Sequence, residues 1–285
     1  MSFKDEVVWI TGASSGIGEG LAEAFLREGA WVILSGRRVS ELDRVAAQAP
    51  DRALVLPFDT TDYAALADLV ERAWNWRGRV DRLINNAGIS QRSLALDTNW
   101  DVYRQLMEVN YFAPVALTRQ LLPLMVERRS GQIAVVSSVA GKVGAPLRTG
   151  YCGAKHAVVG YFDALRAEVE AAYGIQVSVI LPGSVRTSVA INSLEGNGTL
   201  RGRSDDNIEH GIPVKTAAEL ILNGLKINSR EIVVAEGMEA MALRLRTQDP
   251  EQLYAVTAQE GVRLAKLREE LGDGVSLDPA KLSPS

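Results

Sequence analysis

Short, almost wholly apolar runs rich in Val, Ile and Leu recur along the chain at 7–10, 31–34, 53–56, 82–85, 133–137, 177–181 and 232–234. Between them, at 17–28, 41–48, 63–76, 100–127, 151–173 and 216–227, apolar residues return every three or four positions. The first pattern predicts strands and the second amphipathic helices. Strands that are apolar throughout need cover on both faces. Their alternation with helices therefore predicts an α/β protein, a doubly wound parallel seven-stranded sheet with helices on both sides.

Two stretches break the rhythm. Residues 188–213 contain Gly196, Gly198, Gly202 and Gly211 among several Asn, Ser and Asp, and read as a long loop before the last crossover helix, where an active-site lid would sit. Residues 249–271 carry Leu253, Val256, Leu264 and Leu267 near helical spacing among many charges. The expected organisation is one domain over 1–248, lid included, then a helical extension and tail over 249–285. That extension would pack on the domain or on a second subunit.

Composition narrows the function classes. A hydrophobic share of 47% suits a sizeable core, and the net charge of −4 argues against a nucleic-acid partner, which would bring a basic face. The single cysteine, Cys152, permits no intrachain disulfide and points to a reducing compartment. It reads as a small helix residue rather than a redox group. With only His156 and His210 beside it, no zinc ligand set is expected. The polar start is not expected to be a signal peptide, and no apolar run reaches the roughly 20 residues of a membrane span. The expectation is a cytoplasmic protein.

The candidate chemistry sits at strand ends. Thr11-Gly12-Ala13-Ser14-Ser15-Gly16-Ile17-Gly18 follows the first strand and opens a helix. Glycines there let a pyrophosphate approach backbone N–H groups at a helix N-terminus, although the spacing differs from the general G-x-G-x-x-G fingerprint. The second strand ends Ser35-Gly36-Arg37-Arg38. An acid at that point would bind the ribose 2′-hydroxyl of NAD; arginines in its place favour the 2′-phosphate of NADP. NADP(H) is therefore the expected cofactor and NAD(H) the alternative. Tyr151 and Lys155, thirteen and seventeen residues after Ser138, share one helix face. A phenol with an ammonium beside it is a usable proton donor and acceptor, since the positive charge lowers the phenol pKa.

In these motifs, together with Asn85-Asn86-Ala87-Gly88, Asn110, Ser137-Ser138 and Pro182-Gly183, the chain resembles the short-chain dehydrogenase/reductase family over roughly 5–234. It is similar to the single-domain branch with the T-G-x-x-x-G-x-G turn. The stretches 135–146 and 110–117 look closest to hydroxysteroid-dehydrogenase-like members. The resemblance implies a Rossmann fold and hydride exchange between a nicotinamide and a ketone or secondary alcohol. It implies Tyr151 as general acid and base, Lys155 on the Tyr151 pKa and the nicotinamide ribose, Ser138 on the substrate oxygen, and Asn110 in a water-linked proton relay from Lys155. For the cofactor it implies Gly12, Ser14, Ser15, Gly16, Ile17, Gly18, Arg37, Arg38, Asp59 and Thr60 around the adenosine half. Asn86, Ala87 and Gly88 would lie along the ribose, and Pro182, Gly183, Val185 and Thr187 at the nicotinamide carboxamide. Asp59 alternatively caps the next helix. Ser90, Leu147 and parts of 188–213 are expected in the substrate wall, which would suit a moderately bulky, largely apolar carbonyl compound. A homodimer or homotetramer is expected, paired through the helices holding Asn110 and Tyr151. Two rival classes are an epimerase or dehydratase using transient hydride transfer, and a nucleotide-sensing protein without catalysis.

Overall fold

The computed structural model describes residues 2–271. Strands β1 (Val7–Thr11), β2 (Trp31–Ser35), β3 (Ala53–Val55), β4 (Arg82–Asn85), β5 (Gly131–Val136), β6 (Ile175–Pro182) and β7 (Glu231–Val234) form one parallel sheet in the order β3-β2-β1-β4-β5-β6-β7. This is the predicted doubly wound architecture. The order reverses between β1 and β4, and the crevice beyond the carboxyl ends of those strands is where such sheets bind ligands.

The helices are α1 (Gly16–Arg27), α2 (Val39–Ala46), α3 (Leu66–Arg77), α4 (Trp100–Met107), α5 (Ala113–Arg128), α6 (Thr149–Tyr173), α7 (Asp206–Glu209), α8 (Val214–Lys226), α9 (Gly237–Gln248) and α10 (Pro250–Leu271). Alternate strand residues go to opposite layers. Val8, Ile10, Val32 and Leu34 join one core with Leu21, Phe25 and Ile221, whereas Val7, Trp9 and Ile33 join a second with Leu121, Phe162 and Leu165. That period of two is the pleat of the strand expressed as two cores.

Two features depart from the sequence expectation, and the 188–213 stretch adds detail to it. The helix expected over 100–127 is interrupted by a π-helical turn at Glu108–Phe112, so α4 and α5 are separate helices. The helix α9 was not anticipated. None of its residues is fully buried: Ala242, Leu243 and Leu245 are half-buried on Val139, Val143 and Leu253, while Met238 and Met241 stay exposed. The 188–213 stretch is irregular but tied down, by bridges Gln91 to Leu194, Leu194 to Leu200 and Val185 to Ile212 and by the short α7. The tail expected after α10 lies outside the described residues.

Candidate active site

The glycine turn is locked to the turn after β4. Gly12 and Gly16 have φ of +67° and +58°, the left-handed region that glycine enters at little cost. A Cβ on Gly18 would lie 2.3 Å from Gly12 O and 2.4 Å from Asn86 Nδ2, so the start of α1 sits hard against that turn. Asn86 Nδ2 donates to Thr11 O at 2.9 Å, and the Asn86 and Ala87 amides donate to Thr11 Oγ1 at 3.0 and 3.1 Å. Ile17 packs on the core below. The result is a rigid floor at the point where strand order reverses.

The two arginines after β2 separate. Arg38 Nη2 turns back to donate to Ser14 Oγ at 3.1 Å, Ser15 Oγ at 2.7 Å and Ser14 O at 3.3 Å. Arg37 points to solvent and reaches Asp59 only at 3.8 Å. The Asp59 carboxylate accepts the Thr61 amide at 2.9 Å and hydroxyl at 2.7 Å, a local turn and not the helix cap of the alternative reading, since the next helical turn, Tyr63–Ala65, has Asp62 at its N-cap. Those two bonds, with a smaller share from Arg37, hold it below the usual carboxylate range despite partial burial. Thr60 lines a narrow hollow with Thr11, Ala87 and Val109.

Ser138, Tyr151, Lys155 and Asn110 converge next to this floor. The Ser138 hydroxyl donates to Pro182 O at 3.2 Å and accepts from the Ala140 amide at 3.1 Å, and it lies close enough to the Tyr151 phenol to draw its pKa down. Tyr151 lies in the first turn of α6, where Gln91 Oε1 accepts the amides of Gly150 at 2.9 Å and Tyr151 at 3.3 Å. One turn on, the buried Lys155 donates to Val136 O at 2.8 Å, with its Nζ 5.7 Å from the Tyr151 ring centre. The π-helical turn carries Asn110. Its amide bridges to Ile89 O and Leu106 O, both at 3.0 Å, and its oxygen accepts the Ile89 amide at 3.1 Å. A Cβ on Gly88 would meet Asn110 Oδ1 at 2.8 Å and Lys155 Nζ at 3.3 Å. Asn110 and Lys155 thus face each other across Gly88, and nothing larger than glycine fits between them.

The electrostatics differ from the simple picture of an ammonium depressing a phenol. Burial pushes the Tyr151 pKa upward, and the Ser138 hydroxyl and the charges of Arg148 and Arg92 pull against it. Burial also draws Lys155 down to about 8. Desolvation disfavours the charged form of each group, so phenolate and ammonium are both held back.

The remaining expected residues are placed as follows. The Gly183 amide bonds Val234 O at 2.9 Å, and Ser184 is gripped by Glu239 of α9, through its amide at 2.6 Å and hydroxyl at 2.8 Å. Val185 enters the core, while Thr187 stands against Gly16 and brings this segment back to the glycine turn. Ser90 and Leu147, expected in the substrate wall, are both buried. The Ser90 hydroxyl accepts Arg92 at 2.8 Å, and Leu147, with a left-handed φ of +64°, packs under Leu264 and Leu267 of α10.

Sequence reasoning missed Gln91, Arg92, Arg148, Asp205 and Glu239, of which Gln91, Asp205 and Glu239 are brought in through contacts far apart in the chain. The one local hint was that Arg92 follows Ser90 and Arg148 precedes Tyr151. No group of three or more His, Cys, Asp or Glu placed to hold a metal occurs among the described residues. No helix among them is long and apolar enough to cross a membrane.

Residues 6–198 match the family described as short chain dehydrogenase. The chain is 38% identical over 281 residues to the human "Dehydrogenase/reductase SDR family member 7", across 96% of this chain and 82% of that protein. Among solved structures, a short chain dehydrogenase from Burkholderia cenocepacia in complex with NADP superposes with a TM-score of 0.76 at 27% identity, covering 90% of this chain and 99% of that one. A short chain dehydrogenase/reductase from Burkholderia phymatum in complex with NAD reaches 0.78 at 22% identity, over 88% and 96%, and shares the fold.

Proposed function

The chain belongs to the short-chain dehydrogenase/reductase family, and from that premise we propose that it is an NADP(H)-dependent oxidoreductase interconverting a ketone and a secondary alcohol, with Tyr151 as the general acid and base. The observation that carries the reading is the convergence of Ser138, Tyr151, Lys155 and Asn110 beside the glycine turn.

The cofactor cradle supports the phosphorylated dinucleotide. With glycine at 12, 16 and 18 the turn packs tightly on Asn86, Ala87 and Thr187, and a pyrophosphate would meet the backbone N–H groups at the start of α1, with Asn86, Ala87 and Gly88 along the adjoining ribose path. The end of β2 offers no carboxylate to a ribose hydroxyl, and Arg38 already lies over Ser14 and Ser15, where a 2′-phosphate would add the charge it lacks. Asp59 and Thr60 would flank the adenine, and Pro182 to Thr187 would orient the nicotinamide. A nicotinamide held there supplies or accepts the hydride.

The protein's own part is proton chemistry and orientation. Ser138 holds a substrate carbonyl oxygen against the Tyr151 hydroxyl and stabilises charge developing on it. Tyr151 gives that oxygen its proton in reduction and removes it in oxidation. Lys155 sits beside the phenol as a buried cation, and Asn110 fixes the turn through which Lys155 meets solvent. Residues 188–213 cover the substrate side as a lid, with Ser90 and Leu147 backing the wall. Exposed Trp100 at the start of α4 and Phe112 at the end of the π-helical turn that holds Asn110 support self-association on that side. A reducing, cytoplasmic setting suits the lone thiol.

The test is loss of reduced-cofactor absorbance with a ketone panel, comparing NADPH with NADH. Tyr151→Phe is expected to lower turnover by roughly 10²–10⁴-fold while cofactor binding persists. Arg38→Leu should lower kcat/KM for NADPH by about 10- to 100-fold and leave NADH nearly unaffected, the worth of hydrogen bonds to a charged group. A wild-type preference for NADH would overturn the cofactor assignment. Full activity in Tyr151→Phe would overturn the mechanism.

A further inference from the structure

Among the described residues, a cluster of guanidiniums stands beside Tyr151 around one buried carboxylate. Arg92 and Arg201 are 5% and 0% exposed in their side chains, and Arg148 is 23% exposed. All three converge on one buried carboxylate, Asp205. Arg92 bonds it through Nη2 at 2.6 Å and Nε at 2.7 Å, Arg201 through Nη1, and Arg148 comes only to 3.9 Å. Glu195 approaches Arg201 at 3.9 Å. Buried cations are ordinarily matched by anions and hydrogen bonds. Among the described residues, Arg201 Nε and Nη2 are buried without a hydrogen-bond acceptor, and the Arg148 guanidinium has its long contact to Asp205 and no hydrogen bond.

The location ties this cluster to the reaction site. Arg148 is the N-cap residue of α6, three positions before Tyr151, and follows Leu147 in its left-handed conformation. Backbone strain of that kind persists where the surroundings impose it, often at functional sites. Arg92 bonds Ser90 and its own chain at Gln91 O, both at 2.8 Å, next to the Gln91 that caps α6. Arg201 and Asp205 belong to the 188–213 segment. The cluster therefore joins that segment to the wall on which a substrate would lie. The charges of Arg148 and Arg92 both reach the phenol, and Arg148 helps burial draw Arg92 down to about 10, a like-charge neighbour held close.

We propose that Arg148, backed by Arg92 and Arg201, binds an anionic group of the substrate, a carboxylate or a phosphate monoester, so that the natural substrate is a ketone or alcohol bearing a negative charge. This rests on the reductase reading. It adds a charged end to the expected largely apolar substrate: the carbon skeleton lies along the apolar wall and its charged end meets Arg148. A guanidinium presents paired donors that match the oxygens of either anion.

The test compares oxoalkanoates CH₃CO(CH₂)ₙCO₂⁻ of increasing length with their methyl esters, and phosphate monoesters of the hydroxyketones CH₃CO(CH₂)ₙOH with the free alcohols. Turnover with NADPH and calorimetric binding to the NADP⁺-loaded protein are both measured. For at least one length, the acid or the phosphate should exceed its neutral partner in kcat/KM by roughly tenfold or more, as one charge-assisted hydrogen bond allows. The better arm identifies the anion. Arg148→Gln should collapse that anion-to-neutral ratio, and Arg148→Lys should restore part of it. Equal use of charged and neutral partners at every length would overturn the proposal, as would an equal loss for both in Arg148→Gln, which would make the cluster only a strap for 188–213. If Arg148→Gln does not fold, the wild-type ratio and its decline with added salt still decide. If no ketone turns over at all, Arg148-dependent binding of the anions upholds this site while the reductase reading fails; absence of such binding removes both.

Discussion

Lys155 keeps its ammonium in a buried position where desolvation lowers its pKa from 10.5 to about 8. A folded-state value below the unfolded one means the unfolded chain binds more protons between those two values. Stability from this group therefore rises with pH from about 8 toward 10.5, and the full penalty applies below 8. At about 1.4 kcal/mol per pKa unit the penalty at neutral pH is of order 3 kcal/mol. Lys155→Met is expected to unfold at higher urea concentration than wild type at pH 7, with the gap narrowing as pH is raised past 8, while turnover is lost. No gain at pH 7 would mean that the bond to Val136 O offsets the burial. At this scale the residue types and their i, i+4 spacing were legible, because both are local. The sign of the Tyr151 shift was not, since it depends on burial and on charges from Arg92 and Arg148.

At the scale of elements, α6 is the part that presents Tyr151, and its first turn needs acceptors for its free amides. Gln91 supplies one oxygen to two of them from a loop 59 residues away. The prediction is that Gln91→Leu leaves those buried donors unpaired and lowers unfolding free energy by about 1–3 kcal/mol. Because Tyr151 sits in that same turn, kcat should fall more than KM changes, and steady-state kinetics beside chemical denaturation would show it. An unchanged kcat would separate the cap from catalysis. The strand runs, the glycine turn and the long α6 were visible from periodicity. The π-helical turn at Asn110 was hidden, since it changes hydrogen-bond register without changing residue pattern, and α9 was hidden because none of its residues is fully buried.

Across the whole molecule, the C-terminal helix closes over Leu147, Val139 and Val143. Leu264 and Leu267 cover Leu147, Leu253 packs with Val139 and Val143, and Arg268 bonds Asp97 at 2.8 to 3.1 Å. Leu264 is fully buried in a small satellite cluster. Leu264→Ala is expected to cost about 2–3 kcal/mol, near the low end for such truncations because the cluster is small and can collapse. Since Leu147 adjoins Arg148, KM for the substrate should rise while cofactor affinity holds. Thermal melting with nucleotide titration checks both, and unchanged KM would detach α10 from the site. By itself the sequence determined the parallel sheet, the two-faced cores and the glycine turn, for these follow from periodicity and from motifs within a few residues, while Ser138, Tyr151, Lys155 and Asn110 were expected as a set from the family resemblance. Only the tertiary structure decided that Arg38 rather than Arg37 reaches the turn and that Ser90 and Leu147 are buried. It alone set Arg92 on Asp205, 113 positions apart, and Asp97 on Arg268, 171 apart. Contacts of that reach come from how the layers pack, and no local pattern of residues encodes them.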